Sequence, residues 1–507
     1  MRRQLAAAVV ASGLLATACA SGGGGENGFV GKLAAGQRGR AVTGVASPNG
    51  AAEAVPGAEA GAAGATPVAA SGGGTAATKG KAAAGATGAG AAGGATSGFH
   101  PRKVGKLGPG VSDTEIKIGF QVAGNLGAGF ALVGATGSPP QERQIVETFV
   151  NWINSTGGLA GRKVIPVIHE TDPTGGTWAT QAAAACATFT EDNKVLIVGT
   201  SVVGGSDALY NCLSSKGVPE IEQNLWLFDH TYYNKPGLLY QPGRISPDRW
   251  AKAYVDGLAL GGYFDGNPKV GLVRFDAPVF QRISDNVLKP QMKAHGLKFT
   301  DEIAISSPES IAAFSSVSSQ VSNAILRLRN DGVTNVMFLE NAGILPFLFM
   351  PAAESQGYRP RYGLSSSDIP ATQESQVPTV QLKGSLAVGW LPGSDVGNDQ
   401  QPTGNPAALQ CFQLTQANFS STTGFYRLPP CDTVLFLRKV LDIAPDLTVD
   451  GIRVAAEQLG TSYDSPVTFA TRLMPGRYDG GELYRVMFFD DGCTCYRFTG
   501  SNHPVPG

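Results

Sequence analysis

The chain has 507 residues, and its 39 Lys and Arg residues almost balance its 40 Asp and Glu residues, which gives a formal net charge of −1. This balance excludes the basic surface of a nucleic-acid-binding protein and a basic patch for a membrane surface. We therefore expect no nucleic acid among its partners. From Val111 onward the chain is long enough to form two domains.

The N-terminal stretch MRRQLAAAVVASGLLATAC has the layout of an export signal, with Arg2 and Arg3 before an apolar run at 5–15. Small residues at 16–18 precede Cys19, and the stretch resembles a bacterial lipobox, although Ala16 replaces the usual Leu. The resemblance implies a signal peptide at 1–18 and a lipid on Cys19 that anchors the protein outside the cell membrane. An ordinary cleaved signal peptide is the alternative. The apolar run is too short for a membrane-spanning helix.

The segment 19–110 consists almost entirely of Gly, Ala, Ser, Thr and Pro with scattered charges. Such a composition cannot bury enough apolar surface to offset the entropy of ordering. We expect a lipid-anchored flexible linker with a root-mean-square reach of roughly 50 Å.

Besides Cys19, an even number of cysteines remains, and an even remainder in an exported chain indicates disulfides. Six cysteines allow fifteen connectivities, but proximity along the chain favours Cys186 with Cys212 and Cys411 with Cys431, and Cys493 with Cys495 is then left over. The last pair has the weakest support, since residues two apart in a strand lie near the upper limit of Cα separation. No Cys and His spacing is typical of a zinc site, and we expect neither a metal nor a cofactor.

From residue 115 to 221, short apolar runs alternate with amphipathic segments. The runs predict strands at 116–120, 164–168, 195–198 and 218–221, and the segments predict helices at 141–153, 178–189 and 206–213. The residues 121–134 predict a Gly-rich loop.

The same alternation then starts again. It predicts helices at 247–259, 279–295, 311–329 and 345–356, and strands at 270–275, 299–304, 333–339 and 362–364. Ser246 is a candidate cap for the first of these helices. Strands that alternate with helices indicate a parallel sheet with helices on both faces. The sequence thus predicts an α/β fold with two such units in tandem.

The C-terminal part differs in kind. It predicts helices at 406–418, 433–441 and 449–459, followed by a hairpin of strands 484–489 and 494–498 around the turn Asp490-Asp491-Gly492.

Four phrases resemble the type I periplasmic binding proteins of branched-chain amino acid ABC transporters. They are SDTEIKIGF at 112–120, INSTGGLAGRKV at 153–164, GRISPD at 243–248 and AAESQGYRPRY at 352–362. The resemblance implies two doubly wound parallel-sheet lobes joined by a hinge, with the ligand held between them. Carried over, the first lobe is 111–244 plus 380–465, and the second lobe is 245–379 plus 466–507.

Ligands of parallel α/β sheets bind beyond the carboxyl ends of the strands. The resemblance implies a carboxylate site after the strand at 195–198 and a second contact after residue 221. The implied first-lobe residues are Phe130, Ser201, Gly204, Gly205, Ser206, Gln223, Asn224 and Trp226. The bulky Gln223 and Trp226 depart from the family's small residues and put branched-chain specificity in doubt. A capping role for Ser206 and a core position for Trp226 are the alternatives.

The strand ends of the second lobe offer Asp276, Glu340, Asn341, Ser367 and Asp368. The resemblance places the acidic partner of a ligand ammonium group at Asp368, because a buried ammonium needs a charged partner. A cap of the turn before Pro370 is the other role open to Asp368.

Together these features predict a monomeric, extracytoplasmic solute-binding lipoprotein that binds an amino acid or similar small polar solute and passes it to an ABC permease. The alternative is a non-transport sensor or scaffold protein on the same fold, since fold alone does not fix function. We expect no enzyme, because the sequence lacks the nucleophile elbow, the phosphate-binding loop and the zinc-protease motif.

Overall fold

The computed structural model describes residues 98–133, 135, 139–201, 207–224, 228–401 and 404–507. The signal peptide, Cys19 and almost all of the predicted linker lie outside these residues. The predicted α/β fold is confirmed in the described part, which contains two sheets flanked by helices.

The first sheet is entirely parallel, with the strand order β2-β1-β3-β4-β5. Its strands are β1 (Glu115–Ala123), β2 (Lys163–Thr171), β3 (Val198–Thr200), β4 (Glu220–Ile221) and β5 (Leu239–Tyr240). In the centre, Gly119 of β1 aligns with Val167 on one side and Val198 on the other. Helices cover both faces, so β1 is buried along nearly its whole length.

The helices that precede the second sheet are short or strongly amphipathic. They are α1 (Leu126–Val133), α2 (Glu142–Ser155), α3 (Trp178–Ala187) and α4 (Asp207–Ser215). On α2 the residues Ile145, Phe149 and Ile153 form one buried stripe, as the period of 3.6 residues predicts. Helix α1 occupies the segment for which a Gly-rich loop was expected, and that expectation was wrong.

The second sheet has the order β12-β11-β10-β9-β8-β6-β7, in which β11 runs antiparallel to both of its neighbours and all the other pairs are parallel. The strands are β6 (Val270–Phe275), β7 (Phe299–Ile305), β8 (Asn335–Leu339), β9 (Arg361–Ser365), β10 (Leu386–Gly389), β11 (Leu483–Asp490) and β12 (Cys495–Pro504). The predicted hairpin is therefore present, and it extends the parallel sheet at one edge.

The helices predicted around the second sheet are present with small shifts at their ends, except that 279–295 is divided in two, and the short helices at 370–376, 379–382 and 392–395 were not predicted. The helices are α5 (Pro247–Leu260), α6 (Pro278–Ile283), α7 (Lys289–Ala294), α8 (Phe314–Asn330), α9 (Ile344–Ser355), α10 (Pro370–Gln376), α11 (Thr379–Leu382) and α12 (Pro392–Asp395). A π-helical turn at Ser284–Leu288 joins α6 to α7. Ser246 stands at the N-cap position of α5, but its side chain makes no capping hydrogen bond.

Three further helices return to the first sheet and complete its core. They are α13 (Pro406–Phe419), α14 (Gly424–Ile443) and α15 (Val449–Gln458). Leu437, Val440 and Ile452 of these helices share one buried cluster with Ile145 and Phe149. We call the first sheet with its helices the first lobe and the second sheet with its helices the second lobe.

Three segments, 241–246, 390–405 and 459–482, connect the lobes. The predicted return to the first lobe at residue 380 is too early, because β10 pairs with β9 and β11 in the second sheet. Likewise Val467 and Tyr478 belong to the first-lobe core, although the sequence assigned them to the second lobe. A four-residue buried strand such as β10 carries too little periodicity to be recognised in sequence.

The three predicted disulfide pairings are confirmed. Cys186–Cys212 joins α3 to α4, Cys411–Cys431 joins α13 to α14, and Cys493–Cys495 spans the turn of the C-terminal hairpin. No helix among the described residues is both long and apolar enough to cross a membrane.

Candidate functional site

The carboxyl ends of the parallel strands of the two sheets lie close to each other. Trp178, just after β2, donates from its backbone N–H to the carbonyl of Glu309 and from its indole Nε1 to the carbonyl of Pro308, both at 3.0 Å. Residues 308 and 309 follow β7 of the second lobe. The ends of parallel strands are where α/β proteins bind ligands, so this junction is the candidate site.

A pocket of about 300 Å³ opens at this junction. Its lining comes from both lobes and consists of Leu132, Pro173, Thr174, Gly176, Ser310, Ile311, Ala312, Phe314, Ser315, Ser318 and Leu348. Apolar carbon atoms and hydroxyl groups form these walls, and none of these lining residues carries a charge. Such a lining suits the apolar part of a small molecule with a few hydrogen bonds to orient it.

A second bridge between the lobes lies nearer the hinge. Arg282 of α6 contacts Asp229 of the first lobe at 2.6 Å and Asp248 at the start of α5 at 2.8 Å. Burial alone would raise the pKa of Asp248, but hydrogen bonds from Arg282 and His230 lower it below its usual value. The bridge thus holds two carboxyl groups against one guanidinium and stabilises the contact between the lobes.

Ser201 lies at the end of β3, at the edge of the first sheet that faces the second lobe. Its hydroxyl donates to Oε2 of Glu142 at 2.5 Å, and the backbone N–H of Ala123 donates to the same oxygen at 2.7 Å. Glu142 is 2% exposed, and its Oε1 has no hydrogen-bond partner among the residues that the structure describes. Burial raises the pKa of Glu142 to about 7, although both donated hydrogen bonds lower it.

The sequence analysis did not name Glu142 as a site residue, although its position in α2 marks it as unusual. It lies three residues before Ile145 and four before Val146, and so falls on the buried stripe of α2. A glutamate on an apolar stripe must be desolvated, which favours a special role or a specific partner.

Gln223 is fully buried and bonds to first-lobe and connecting-segment residues. Its Nε2 donates to Asp432 Oδ2 at 2.7 Å, and its carbonyl accepts from Arg244. Asp432 accepts a second hydrogen bond from the hydroxyl of Tyr463 at 2.5 Å. Burial lowers the pKa of Arg244 to about 10, while nearby carboxylates raise it. Gln223 therefore belongs to a buried polar network that joins the connecting segments.

The structure describes only some of the other predicted first-lobe residues. The backbone N–H of Asn224 donates to Glu222 Oε1 at 2.6 Å, and the residue is buried. Gly204, Gly205, Ser206 and Trp226 lie outside the described residues, as does the side chain of Phe130.

The predicted second-lobe acids make local caps. Asp368 Oδ2 accepts from the backbone N–H and hydroxyl of Ser365 at 2.7 and 2.9 Å, and it completes a capping box. Glu340 accepts from the backbone N–H groups of Gly343 and Ile344, both at 2.9 Å, at the start of α9. This geometry corresponds to the capping role that the sequence left open for Asp368.

The carboxyls of Glu340 and Asp368 are buried close together, at 1% exposure each. Burial raises the pKa of Asp368 to about 7, and burial together with the neighbouring Asp368 raises the pKa of Glu340 well above its usual value. Two like charges in one dry site cannot both ionise without a large cost. This pair therefore holds a proton near neutral pH and offers less charge to an ammonium group than two free carboxylates would.

The remaining candidates of the second lobe are Asp276, Asn341 and Ser367. Asp276 is exposed and accepts from the backbone N–H of Ser307 at 2.8 Å. Asn341 and Ser367 are buried at the ends of β8 and β9. The structure thus brings the predicted residues to the strand ends but assigns several of them to hydrogen bonds within their own lobe.

Solved structures of ABC transporter substrate-binding proteins are similar to this chain in fold. A branched-chain amino acid ABC transporter protein from Thermus thermophilus with bound valine matches with a TM-score of 0.57 at 14% identity, covering 78% of this chain and 97% of that one. A fatty acid ABC transporter substrate-binding protein from Thermomonospora curvata matches with a TM-score of 0.53 at 16% identity, covering 79% and 93%.

An ABC transporter substrate-binding protein from Desulfitobacterium hafniense in complex with Leu matches with a TM-score of 0.53 at 15% identity, covering 76% of this chain and 99% of that one. No protein-family model and no curated protein sequence matches this chain. Identities this low establish architecture and leave the ligand open. The chain therefore has the two-lobed fold of the type I periplasmic binding proteins, which the solved ABC transporter substrate-binding proteins share.

Proposed function

We propose that this protein is an extracytoplasmic receptor that closes two lobes around a small solute and passes it to an ABC permease. The observation that carries the proposal is the pocket of about 300 Å³ whose walls come from the strand ends of both lobes. A solute that contacts both walls binds the closed form more tightly than the open form and so shifts the population toward closure. The role is that of a binding protein and involves no catalysis.

The lining of the pocket narrows the solute class. Leu132, Ile311, Phe314 and Leu348 supply apolar surface, while Ser315 and Ser318 supply hydroxyl groups. We infer an amino acid or other carboxylic acid with an apolar chain. The solved neighbours are described as binding leucine, valine or fatty acids, and these ligands share an apolar chain next to a carboxylate.

The polar end of the solute has a candidate position beside Ser201. The backbone amide groups of 204–206 remain our proposed carboxylate donors, because N–H groups that precede a helix suit an anion. The Ser201 hydroxyl donates its proton to Glu142, so its oxygen is proposed to accept a hydrogen bond from the solute. Glu142 holds the Ser201 hydroxyl in place through the hydrogen bond at 2.5 Å.

A calorimetric titration of leucine, valine, hexanoate, octanoate, glutamate and lysine tests the proposal. We expect the four apolar acids to bind and to raise the melting temperature, and the two charged amino acids to bind far more weakly. The variant Leu132→Asp should weaken binding roughly tenfold or more, because it replaces apolar contact by a charge. Leu132 is 66% exposed, so the fold should tolerate the change.

Leu326→Asp is the matched control, since Leu326 is 50% exposed on α8 and is not among the lining residues of the pocket. It should leave affinity unchanged. Failure of every solute to bind would contradict transport and favour a sensor or scaffold on the same fold.

We also infer that a lipid on Cys19 anchors the protein to the outer side of the cell membrane, with 19–110 as a tether. The support is the lipobox-like sequence and the composition of the tether. Growth with a radioactive fatty acid should label the protein, and Cys19→Ser should abolish the label and release the protein from the membrane fraction. Equal labelling of both proteins would refute the anchor.

A further inference from the structure

The disulfide Cys493–Cys495 differs from the other two bridges in what it can do for stability. It closes a loop with a sequence separation of 2, whereas Cys186–Cys212 and Cys411–Cys431 have separations of 26 and 20. A disulfide restricts the unfolded chain less as the loop it closes becomes shorter. Stabilisation of the fold therefore explains this bridge poorly.

The bridge also differs in how easily an attacking thiolate can reach its sulfur atoms. Cys493 and Cys495 are half-buried at the tip of the hairpin β11–β12. Each of the other bridges has at least one deeply buried partner, since Cys186 is 1% exposed and Cys411 and Cys431 are 0% exposed. Attack on a disulfide requires a thiolate to reach a sulfur atom, so the hairpin bridge is the most open to exchange.

The backbone between the two cysteines is strained. Thr494 has a φ of +53°, in the left-handed region that a β-branched residue rarely adopts. The short loop holds Thr494 in this conformation. Opening the bridge frees the residue to relax, which favours the opened form.

A cation lies beside one of the two sulfur atoms. Arg497 Nε is 3.4 Å from Cys493 Sγ, and the same guanidinium pairs with Asp490 Oδ2 at 2.8 Å. A neighbouring guanidinium stabilises a thiolate and makes that sulfur the better leaving group. The arrangement therefore distinguishes Cys493, which leaves, from Cys495, which is attacked.

We propose that Cys493–Cys495 is a thiol–disulfide exchange site for low-molecular-weight thiols. In the first step a thiolate attacks Cys495 Sγ, the bond between the two cysteine sulfurs breaks, and Cys493 leaves as a thiolate beside Arg497. The product is a mixed disulfide on Cys495. A second thiol molecule then attacks the sulfur of the first, which releases its disulfide dimer and leaves both cysteines reduced. The two thiols supply the two electrons and two protons.

The test treats the full folded chain with graded concentrations of the monothiol cysteine. Free thiols are then alkylated, and each bridge is quantified by peptide mass spectrometry. We expect Cys493 and Cys495 to react at least tenfold faster than the four other bridged cysteines, because each of the other bridges contains at least one deeply buried cysteine. The trapped mixed disulfide should lie on Cys495, with the alkyl label on Cys493.

The variant Arg497→Gln should slow exchange about threefold or more and reduce the preference for Cys495, because the leaving thiolate loses its cation. Arg485→Gln is the matched control on the same hairpin, since Arg485 contacts the carbonyls of Thr499 and Gly500 and no sulfur. It should exchange like the wild type. Equal rates for all three bridges, a mixed disulfide mainly on Cys493, or reduction only when the chain unfolds would overturn the proposal. None of these outcomes depends on whether a solute binds between the lobes.

Discussion

At the scale of single residues, Glu142 is a carboxyl group that the fold has removed from water. Both hydrogen bonds it accepts go to Oε2, from Ser201 and Ala123, while Oε1 stays without a partner among the described residues. A buried carboxylate is costly unless it is paired or hydrogen-bonded. The side chain therefore keeps its proton up to a pH of about 7.

This shift predicts a pH-dependent cost to stability. The pKa of Glu142 rises from 4.5 to about 7 on folding, so the folded state binds more protons between these values and loses stability as pH rises through them. The free energy of unfolding of Glu142→Gln, relative to that of the wild type, should rise by about 2 to 3 kcal/mol from pH 5 to pH 8. Urea unfolding at the two pH values measures this difference.

Glu147→Gln provides the control, because Glu147 lies on the same helix with its side chain 46% exposed. Its stability relative to the wild type should not change with pH. If the difference in free energy of unfolding between Glu142→Gln and the wild type is the same at both pH values, then Glu142 is ionised in the folded protein at both.

Asp368 shows why the site could be predicted only in part. The sequence places an acid after β9, but the same side chain can cap a turn or face a ligand. The contacts with Ser365 show the cap, and no local pattern distinguishes the two uses in advance. By contrast, the position of Ser201 at a strand end follows directly from the alternation of strands and helices.

At the scale of elements, segments with a strong hydrophobic periodicity were predicted correctly, and segments with a weak one were missed. Strand β6 (Val270–Phe275) has the predicted bounds, and α2 begins and ends within two residues of its predicted bounds. Strand β10, with four residues, was missed.

Helix α14 begins nine residues before its predicted start at 433. Packing against the core outweighs the helix-breaking tendency of the sequence in this segment. Pro429 and Pro430 lie inside the helix, where the general rule predicts a break. Both are buried, as are Leu428 and Cys431 on either side of them. Burial of this segment against the first-lobe core and the disulfide to Cys411 compensates for the lost backbone hydrogen bonds.

At the scale of the whole molecule, an ion-pair cluster around Arg282 joins the two lobes. Arg282 bridges Asp229 and Asp248, and Asp229 is 3% exposed. Removal of the guanidinium would leave a buried carboxylate without its partner, which disfavours the closed arrangement.

The variant Arg282→Gln should therefore open the molecule. We expect a larger radius of gyration by small-angle scattering in the absence of solute and a roughly tenfold weaker affinity for any solute that binds. Arg327→Gln is the control, because Arg327 pairs with Asp301 within the second lobe at its surface. An unchanged radius of gyration in Arg282→Gln would show that this bridge does not hold the lobes closed.

The sequence by itself determined the alternation of strands and helices and its restart in a second α/β unit, and it favoured two of the disulfide pairs, because these depend on patterns between residues close along the chain. Only the tertiary structure decided the partners of Glu142 and Gln223 and the positions where the chain changes lobe. Glu142 meets Ser201 across 59 residues, and Gln223 meets Asp432 across 209. Such contacts arise from the packing of whole elements, and no local pattern in the chain records them.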